Sequence, residues 1–446
     1  MKSTRRSFIR QLTTGSCAVA FAPSFANAET LDAQKPVPYQ VGKWLPSDQK
    51  VLEEWLNVQL AKIASAPPAP MHPAVQALKD KIEGEGRLYN LFVSMFRQVP
   101  FKKTPTKDPQ VKTYEEALLL INNVLTTAPE YNKSGLVGFP INAILDWAMG
   151  TEAGFAAFQD PEVNRLIQGI LKVWGAFLAS PDSAYVLNDD PSQGWFGQDA
   201  MKAMPNFEQT FVCDPSKPHY GFLSWDDFFT RQFRPGLRPV EYPEDDSWLT
   251  NSCESAPYKI ARGVKLVDRF WIKSQPYSLQ HMFERSEYAQ RFAGGTVYQA
   301  FLSALSYHRW HSPVNGTVVD AYNLDGTYYS ETRAVGFDPA GPNNSQGYIT
   351  SVAARSVILI QSSQPGLGLV GLIQIGMAEV SSCEVTVKPG DVVKKGDQLG
   401  MFHFGGSTYC LIVGPDVTLD FNLGGRRPGV HASNIPLNAA LAKIVT

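Results

Sequence analysis

Three groups of residues hold the types able to do covalent or acid–base chemistry. Tyr307-His308-Arg309-Trp310-His311-Ser312-Pro313 contains two of only seven histidines. Phe402-His403-Phe404-Gly405-Gly406-Ser407-Thr408 sets a histidine and a serine on either side of a glycine pair. Two short acidic segments, Ser252-Cys253-Glu254-Ser255 and Ser382-Cys383-Glu384, supply carboxylates. A serine, a histidine and a carboxylate can build an activated nucleophile in any chain order, because the histidine takes the hydroxyl proton and the carboxylate orients the histidine. A nucleophile-elbow hydrolase requires G-x-S-x-G, and Tyr409 stands where the last glycine belongs. The glycine pair suits another reaction. Glycine admits positive φ and lets groups approach its peptide bond closely. Ser407 could therefore attack the carbonyl of Gly406, its own neighbour, once a base removes its proton. Taken singly, each piece has a plainer reading: a structural histidine pair or half a metal site, and a turn at Gly-Gly-Ser.

The elements that must position these residues fall into two kinds. From about residue 47 to 205 the apolar residues keep helical spacing. Asp160-Pro161 reads as an N-cap with a first-turn proline ahead of Val163, Leu166, Ile167, Ile170, Leu171, Trp174, Phe177 and Leu178. Thr113 and Glu116 fit a capping box. Val51, Leu52, Trp55, Leu56 and Ile63 form a further stripe. Beyond about residue 250 the period shortens, and residues 317–322, 356–360 and 369–375 read as strands bounded by Gly and Pro. Residues 387–400, with Gly390-Asp391 and Gly396-Asp397, read as two hairpin turns. The expectation is an α+β protein: a helical N-terminal domain over 29–215 and a β-rich domain over 216–446, joined near 205–250.

The 446 residues are 44% hydrophobic, enough for two folding units. With 40 basic against 42 acidic residues the net charge is -2, which leaves no basic footprint for nucleic acid. No apolar run reaches the roughly 18 residues of a spanning helix. Arg5-Arg6, a modest apolar stretch and Ala26-Asn27-Ala28 describe a twin-arginine-type export signal over residues 1–28 and predict a periplasmic location. Its removal takes four basic residues and no acidic ones, so the net charge falls to -6. Cys213, Cys253, Cys383 and Cys410 then remain, as disulfides in one of three pairings or as buried thiols. Their spacing disfavours zinc, and no metal is expected.

Residues 400–408 resemble the self-cleavage segment of the phosphatidylserine decarboxylase family, and residues 307–313 are similar to its histidine motif. Tyr220-Gly221-Phe222, Asp227-Phe228-Phe229-Thr230-Arg231 and Arg234-Pro235-Gly236-Leu237-Arg238-Pro239 resemble a further motif of that family. The resemblance covers about 220–446. The helical region, with Trp174-Gly175-Ala176-Phe177-Leu178, resembles the extra N-terminal domain of the family's mushroom tryptophan decarboxylase branch.

That resemblance implies a carboxy-lyase that makes its own cofactor. Cleavage between Gly406 and Ser407 would leave a pyruvoyl group derived from Ser407, on a small chain of 40 residues beside a large one of 378. The substrate amine would form an imine with it before CO2 leaves. By position in the motifs, His311 is the maturation base, His308 serves decarboxylation, and Glu254 orients the base, with Glu384 in reserve. Arg234 and Arg238 are expected to tie down a loop through carbonyl groups, and His403 to pack. The substrate implied by the tryptophan-decarboxylase likeness is a free aromatic L-amino acid; phosphatidylserine, a phospholipid, is the alternative. A lipoyl-like, non-catalytic binding module is the alternative of another class, suggested by the hairpin turns.

Overall fold

Asp160 shows why the first half of the chain is helical. Its Oδ1 accepts from the backbone of Glu162 at 3.0 Å and of Val163 at 3.2 Å, satisfying donors that the first helical turn leaves open. The helix it starts buries Val163, Ile167, Ile170, Leu171, Trp174 and Leu178, each worth about 1.5–3 kcal/mol when fully removed from water. Thr113 Oγ1 likewise accepts from Glu116 N at 3.2 Å, and the Glu116 carboxylate returns to Lys112 N at 2.8 Å.

The computed structural model describes residues 49–65, 70–99, 110–131, 140–268, 277–302, 305–332, 345–379, 382–404, 407–429 and 432–445. The export signal and both residues of the Gly405-Gly406 pair lie outside them. In chain order the helical half holds α1 (Gln49–Ser65), α2 (Pro73–Gly84), α3 (Gly86–Gln98), α4 (Tyr114–Val124), α5 (Pro140–Met149), α6 (Glu152–Ala157) and α7 (Pro161–Leu178). Short helices α8 (Gln198–Ala203), α9 (Phe207–Thr210) and α10 (Trp225–Phe229) carry the helical character past residue 205. In α1 the buried stripe is Leu52 and Leu56, whereas Val51 is 36% exposed.

Strands begin with β1 (Trp248–Thr250) and β2 (Ala256–Arg262), followed by α11 (Leu279–Phe283) and α12 (Ser286–Phe292). Then come β3 (Thr296–Leu302), β4 (Arg309–His311), β5 (Gly316–Leu324), α13 (Gln346–Val352), β6 (Arg355–Ser362) and β7 (Leu369–Gly376). The chain continues through β8 (Ser382–Val385), β9 (Val392–Val393), β10 (Gln398–His403), β11 (Ser407–Val413), β12 (Thr418–Phe421) and β13 (Ala440–Val445).

An antiparallel sheet of order β2-β3-β11-β7-β6-β5-β9 forms the centre. Its strands β7 and β11 are buried on both faces, which is why they read as continuous apolar runs rather than alternating ones. Smaller sheets, β4-β10-β8 and β1-β13-β12, complete the β-rich half. Gly400 permits the first of these. A Cβ there would lie 2.2 Å from Glu384 O and 2.6 Å from the Trp310 ring, so β8 and β4 can close on β10 only around a glycine.

The described residues belong to one compact unit, and α+β is the fold class. Aromatic contacts join its halves: Phe158 with Tyr329, Phe155 with Tyr348, and Trp174 with Phe404. Cys213, Cys253, Cys383 and Cys410 are free thiols. Among the described residues, no helix is long and apolar enough to cross a membrane.

Candidate active site

Ser407 opens β11 in the middle of the large sheet, opposite Leu302 of β3 and Gly376 of β7. Its side chain is fully buried, and Oγ has no hydrogen-bond partner among the described residues. Leaving a buried hydroxyl unpaired costs about 1–3 kcal/mol, so such a group calls for an explanation. The neighbouring Thr408 is the opposite case. Its Oγ1 donates to Ala300 O at 2.9 Å and accepts from Gln299 Nε2 at 3.0 Å. The strand is thus pinned while the Ser407 hydroxyl is left unengaged.

The histidine motif pairs through its backbone with β10, the strand that leads to Ser407. In the β4–β10 ladder Trp310 faces Gly400 and Arg309 faces Met401, and Phe402 N donates to His308 O at 2.9 Å. The His308 ring is fully buried and stacks on Phe229 with centroids 4.0 Å apart. Phe404 closes the same cluster, with ring centroids 4.7 Å from Trp174, 5.3 Å from Trp225 and 5.7 Å from Phe229. Its backbone is left-handed, φ 32°, an outlier for a bulky residue and one that must be held by its surroundings. The helical half therefore grips the chain three residues before Ser407.

His311 has a fixed tautomer. Gly396 O can only accept, so Nδ1 carries the proton of that 2.7 Å bond, and Nε2 is the basic atom. Nε2 accepts from the Tyr307 hydroxyl at 3.0 Å. Burial pushes the His311 pKa below the usual histidine value, against the Gly396 bond that raises it, which keeps the ring neutral and able to take a proton. Burial raises the Tyr307 pKa, so the phenol stays protonated and donates.

Glu254 does not share a hydrogen bond with His311. The Glu254 carboxylate takes a two-pronged bond from Arg238, at 2.9 and 3.1 Å, and a third from Leu437 N at 2.7 Å. It reaches the histidine through a relay: Arg238 lies over Phe233 at 4.5 Å, Phe233 stacks on Tyr307 at 4.3 Å, and Tyr307 bonds His311. The acidic segment still belongs to the site. Ser252 O accepts from His311 N at 2.9 Å, and Asn251 Oδ1 accepts from Tyr409 Oη at 2.6 Å, two residues beyond Ser407. So the three groups singled out in the sequence converge, with Glu254 placed to hold a loop.

Glu384, the reserve carboxylate, binds a different histidine. His403 Nε2 is 2.8 Å from Glu384 Oε2, and its Nδ1 is 2.9 Å from Asp226 Oδ2. The Asp226 hydrogen bond, more than burial opposes it, lifts the His403 pKa to about 9. His403 is thus an ionic clamp rather than a packing residue. Its partners stand 177 and 19 residues away, so nothing in local spacing marks it. Arg231 is a further residue whose role its spacing hides: fully buried, it donates to Leu305 O at 2.8 Å and Ser306 O at 3.4 Å, holding the approach to the histidine motif. Arg234 ties a loop through Glu208 O and Cys213 O, as expected, while Arg238 binds a carboxylate instead.

Comparison with known proteins fixes the class. Family models described as phosphatidylserine decarboxylase match residues 72–204 and 225–428. Decarboxylase iboD of Amanita muscaria (strain Koide BX008) is 41% identical over 325 residues, covering 69% of this chain and 91% of that protein. The L-tryptophan decarboxylase of Psilocybe cubensis is 35% identical over 360 residues, covering 76% of this chain and 79% of its own. That of Psilocybe cyanescens is 35% identical over 392 residues, covering 82% and 87%. The protein is therefore an enzyme, a carboxy-lyase. It belongs to the phosphatidylserine decarboxylase family.

A non-catalytic lipoyl-like module is thereby set aside. The structure agrees at Lys395 of the hairpin region, which is buried and donates to Tyr242 O at 2.8 Å and Asp245 O at 2.9 Å, out of reach of a carried group.

Proposed function

We propose that the protein is a self-processing, pyruvoyl-dependent decarboxylase of a free aromatic L-amino acid. The observation that carries the self-processing is the enclosed, unpaired Ser407 hydroxyl at the head of a pinned strand, directly after Gly405-Gly406. In this reading a base removes the Ser407 proton and Oγ attacks the Gly406 carbonyl carbon. The Gly406–Ser407 C–N bond breaks as the ester forms. Elimination expels the Gly406 carboxylate, and hydrolysis of the resulting dehydroalanine releases ammonia and leaves a pyruvoyl group on the small chain.

The residues at Ser407 fit that group, with a strand end fixed by Thr408 and a dry setting, and β10, which leads to it, pairs with the strand that carries the neutral His311. When present, the group supplies a ketone for the substrate amine and an adjacent carbonyl that draws electrons as CO2 departs. His311 Nε2 takes the maturation proton after its Tyr307 partner yields. His308, held flat against Phe229, supplies the proton that replaces the departing carboxylate. Removal of the signal over residues 1–28 on export to the periplasm would leave chains of 378 and 40 residues.

The free-amino-acid reading draws its support from the helical half. The two relatives named L-tryptophan decarboxylase align over 76% and 82% of this chain, and Trp174 of that half packs on Phe404. Incubation of the purified two-chain protein with tryptophan should release CO2 and tryptamine. CO2 released from phosphatidylserine liposomes, with none from any aromatic amino acid, would overturn this substrate.

A further inference from the structure

Close to Ser407 lies a second set of buried polar groups. Glu379 follows Gly376, the backbone partner of Ser407, by three residues, a distance of at most about 10 Å along the chain. It is 5% exposed. One carboxylate oxygen, Oε1, accepts from Asn142 N in the first turn of α5 at 2.7 Å. The other, Oε2, is enclosed with no hydrogen bond among the described residues. The fully buried Asn142 side chain has none at either Oδ1 or Nδ2, and neither has the buried Tyr329 hydroxyl. Two further buried acids stand nearby in the fold: Asp146, one turn along α5 from Asn142, and Glu331, two residues past Tyr329. Ala378, between strand end and carboxylate, is left-handed at φ 55°.

Glu379 Oε2, the Asn142 amide and the Tyr329 hydroxyl each cost about 1–3 kcal/mol unless something pairs with them. Among the described residues no group of side chains is suited to a metal ion. The open positions define the occupant's chemistry. Asn142 Oδ1 is an acceptor site and Glu379 Oε2 becomes one on ionisation, which an N–H or O–H donor brought by the occupant favours. Tyr329 and Phe158, in ring contact at 6.1 Å, supply an aromatic wall. Burial pushes the Glu379 pKa up to about 8, the mark of a dry setting. None of these groups is a cation, so they offer a phosphodiester no counter-charge, and a neutral aromatic side chain with a polar hydrogen is the fitting partner.

We propose that Glu379 and Asn142 form the side-chain pocket of the substrate site and select aromatic amino acids carrying an N–H or O–H donor. This rests on the amino-acid decarboxylase reading above and goes one step beyond it. A site built to hydrogen-bond a substrate hydrogen rejects an isostere lacking it, because its own buried groups are then left unpaired.

The test compares tryptophan with 3-benzothienylalanine, in which sulfur replaces the indole N–H at nearly constant shape. With the two-chain wild-type enzyme, kcat/KM from CO2 release should be at least about 100-fold lower for the isostere. Glu379→Leu should bring the two within about 10-fold of each other, chiefly by raising KM for tryptophan. Glu379→Gln, which keeps an acceptor, should retain most of the discrimination. Wild-type enzyme using both substrates within roughly threefold would overturn the pocket, as would an unchanged ratio in Glu379→Leu. The wild-type comparison decides even if the leucine variant fails to mature. Turnover of phosphatidylserine with no amino acid used would instead fail the underlying reading of the substrate.

Discussion

His403 Nδ1 lies 2.9 Å from Asp226 Oδ2, which fastens the strand entering the cleavage segment to helix α10. Glu384 of β8 holds the other ring nitrogen, so one histidine links three elements. Its pKa, lifted from 6.5 to about 9, makes the ring cationic in the folded protein near neutrality. A raised value stabilises fully below the unfolded pKa and is lost as pH rises through the folded one. The fold should therefore weaken progressively from about pH 6.5 to pH 10, by on the order of 2–3 kcal/mol. Urea unfolding of wild type and Asp226→Asn at pH 7 and pH 10 checks this. The variant should be less stable at pH 7 and show a much flatter dependence; equal slopes would remove the clamp.

The two motif histidines should separate cleanly. His311→Ala should remain a single chain, because the basic Nε2 is gone. His308→Ala should cleave yet lose about 100-fold or more in turnover, the usual worth of a positioned proton donor. Denaturing gels and CO2 release read the two effects. A His308→Ala protein that stays uncut while His311→Ala matures would reverse the roles. Because the His311 pKa is depressed, cleavage should persist into buffer more acidic than an ordinary histidine base would allow.

Glu254 and Arg238 should behave as one unit. If the carboxylate acts on His311 only through Arg238, Phe233 and Tyr307, then Glu254→Ala and Arg238→Ala slow maturation by similar factors. Their combination should then add little to either single change. The measurement is the half-time of cleavage after dilution from denaturant. A severe Glu254→Ala defect beside a near-normal Arg238→Ala would show that the carboxylate acts directly.

How much of this was legible in the residues follows from the range of each interaction. Caps at Asp160 and Thr113 and the apolar runs of β6 and β7 are local signals, and the structure reproduces them. Convergence of residues 307–313 with the segment before Ser407 could be inferred only from a resemblance, since β4 and β10 pair across almost ninety residues. What Glu254 touches depends on Arg238 and on Leu437, 183 residues away, which no motif spacing encodes. The same holds for Asp226 with His403 and for Asn142 with Glu379. In each case a polar side chain gains meaning from a partner that only the packing of helices on sheets brings near.

That packing makes a final prediction at Trp174. Its ring meets Phe404 edge-on at 4.7 Å, and its Nε1 donates to Thr127 O at 2.9 Å. Phe404 needs this nest because its left-handed backbone is unfavourable by about 1–3 kcal/mol. Trp174→Ala should let the segment relax and slow self-cleavage by about tenfold or more, as the attacking hydroxyl loses its alignment with the peptide. The substitution also removes core volume, so a control on the same helix is needed. Leu171 lines the helical core with Leu118 and Ile121, and Leu171→Ala should cost a comparable few kcal/mol in stability. Cleavage half-times measured at equal distance below each variant's melting temperature separate the two effects. Only Trp174→Ala should be slow; equal slowing in both would mean that the helical half contributes stability alone.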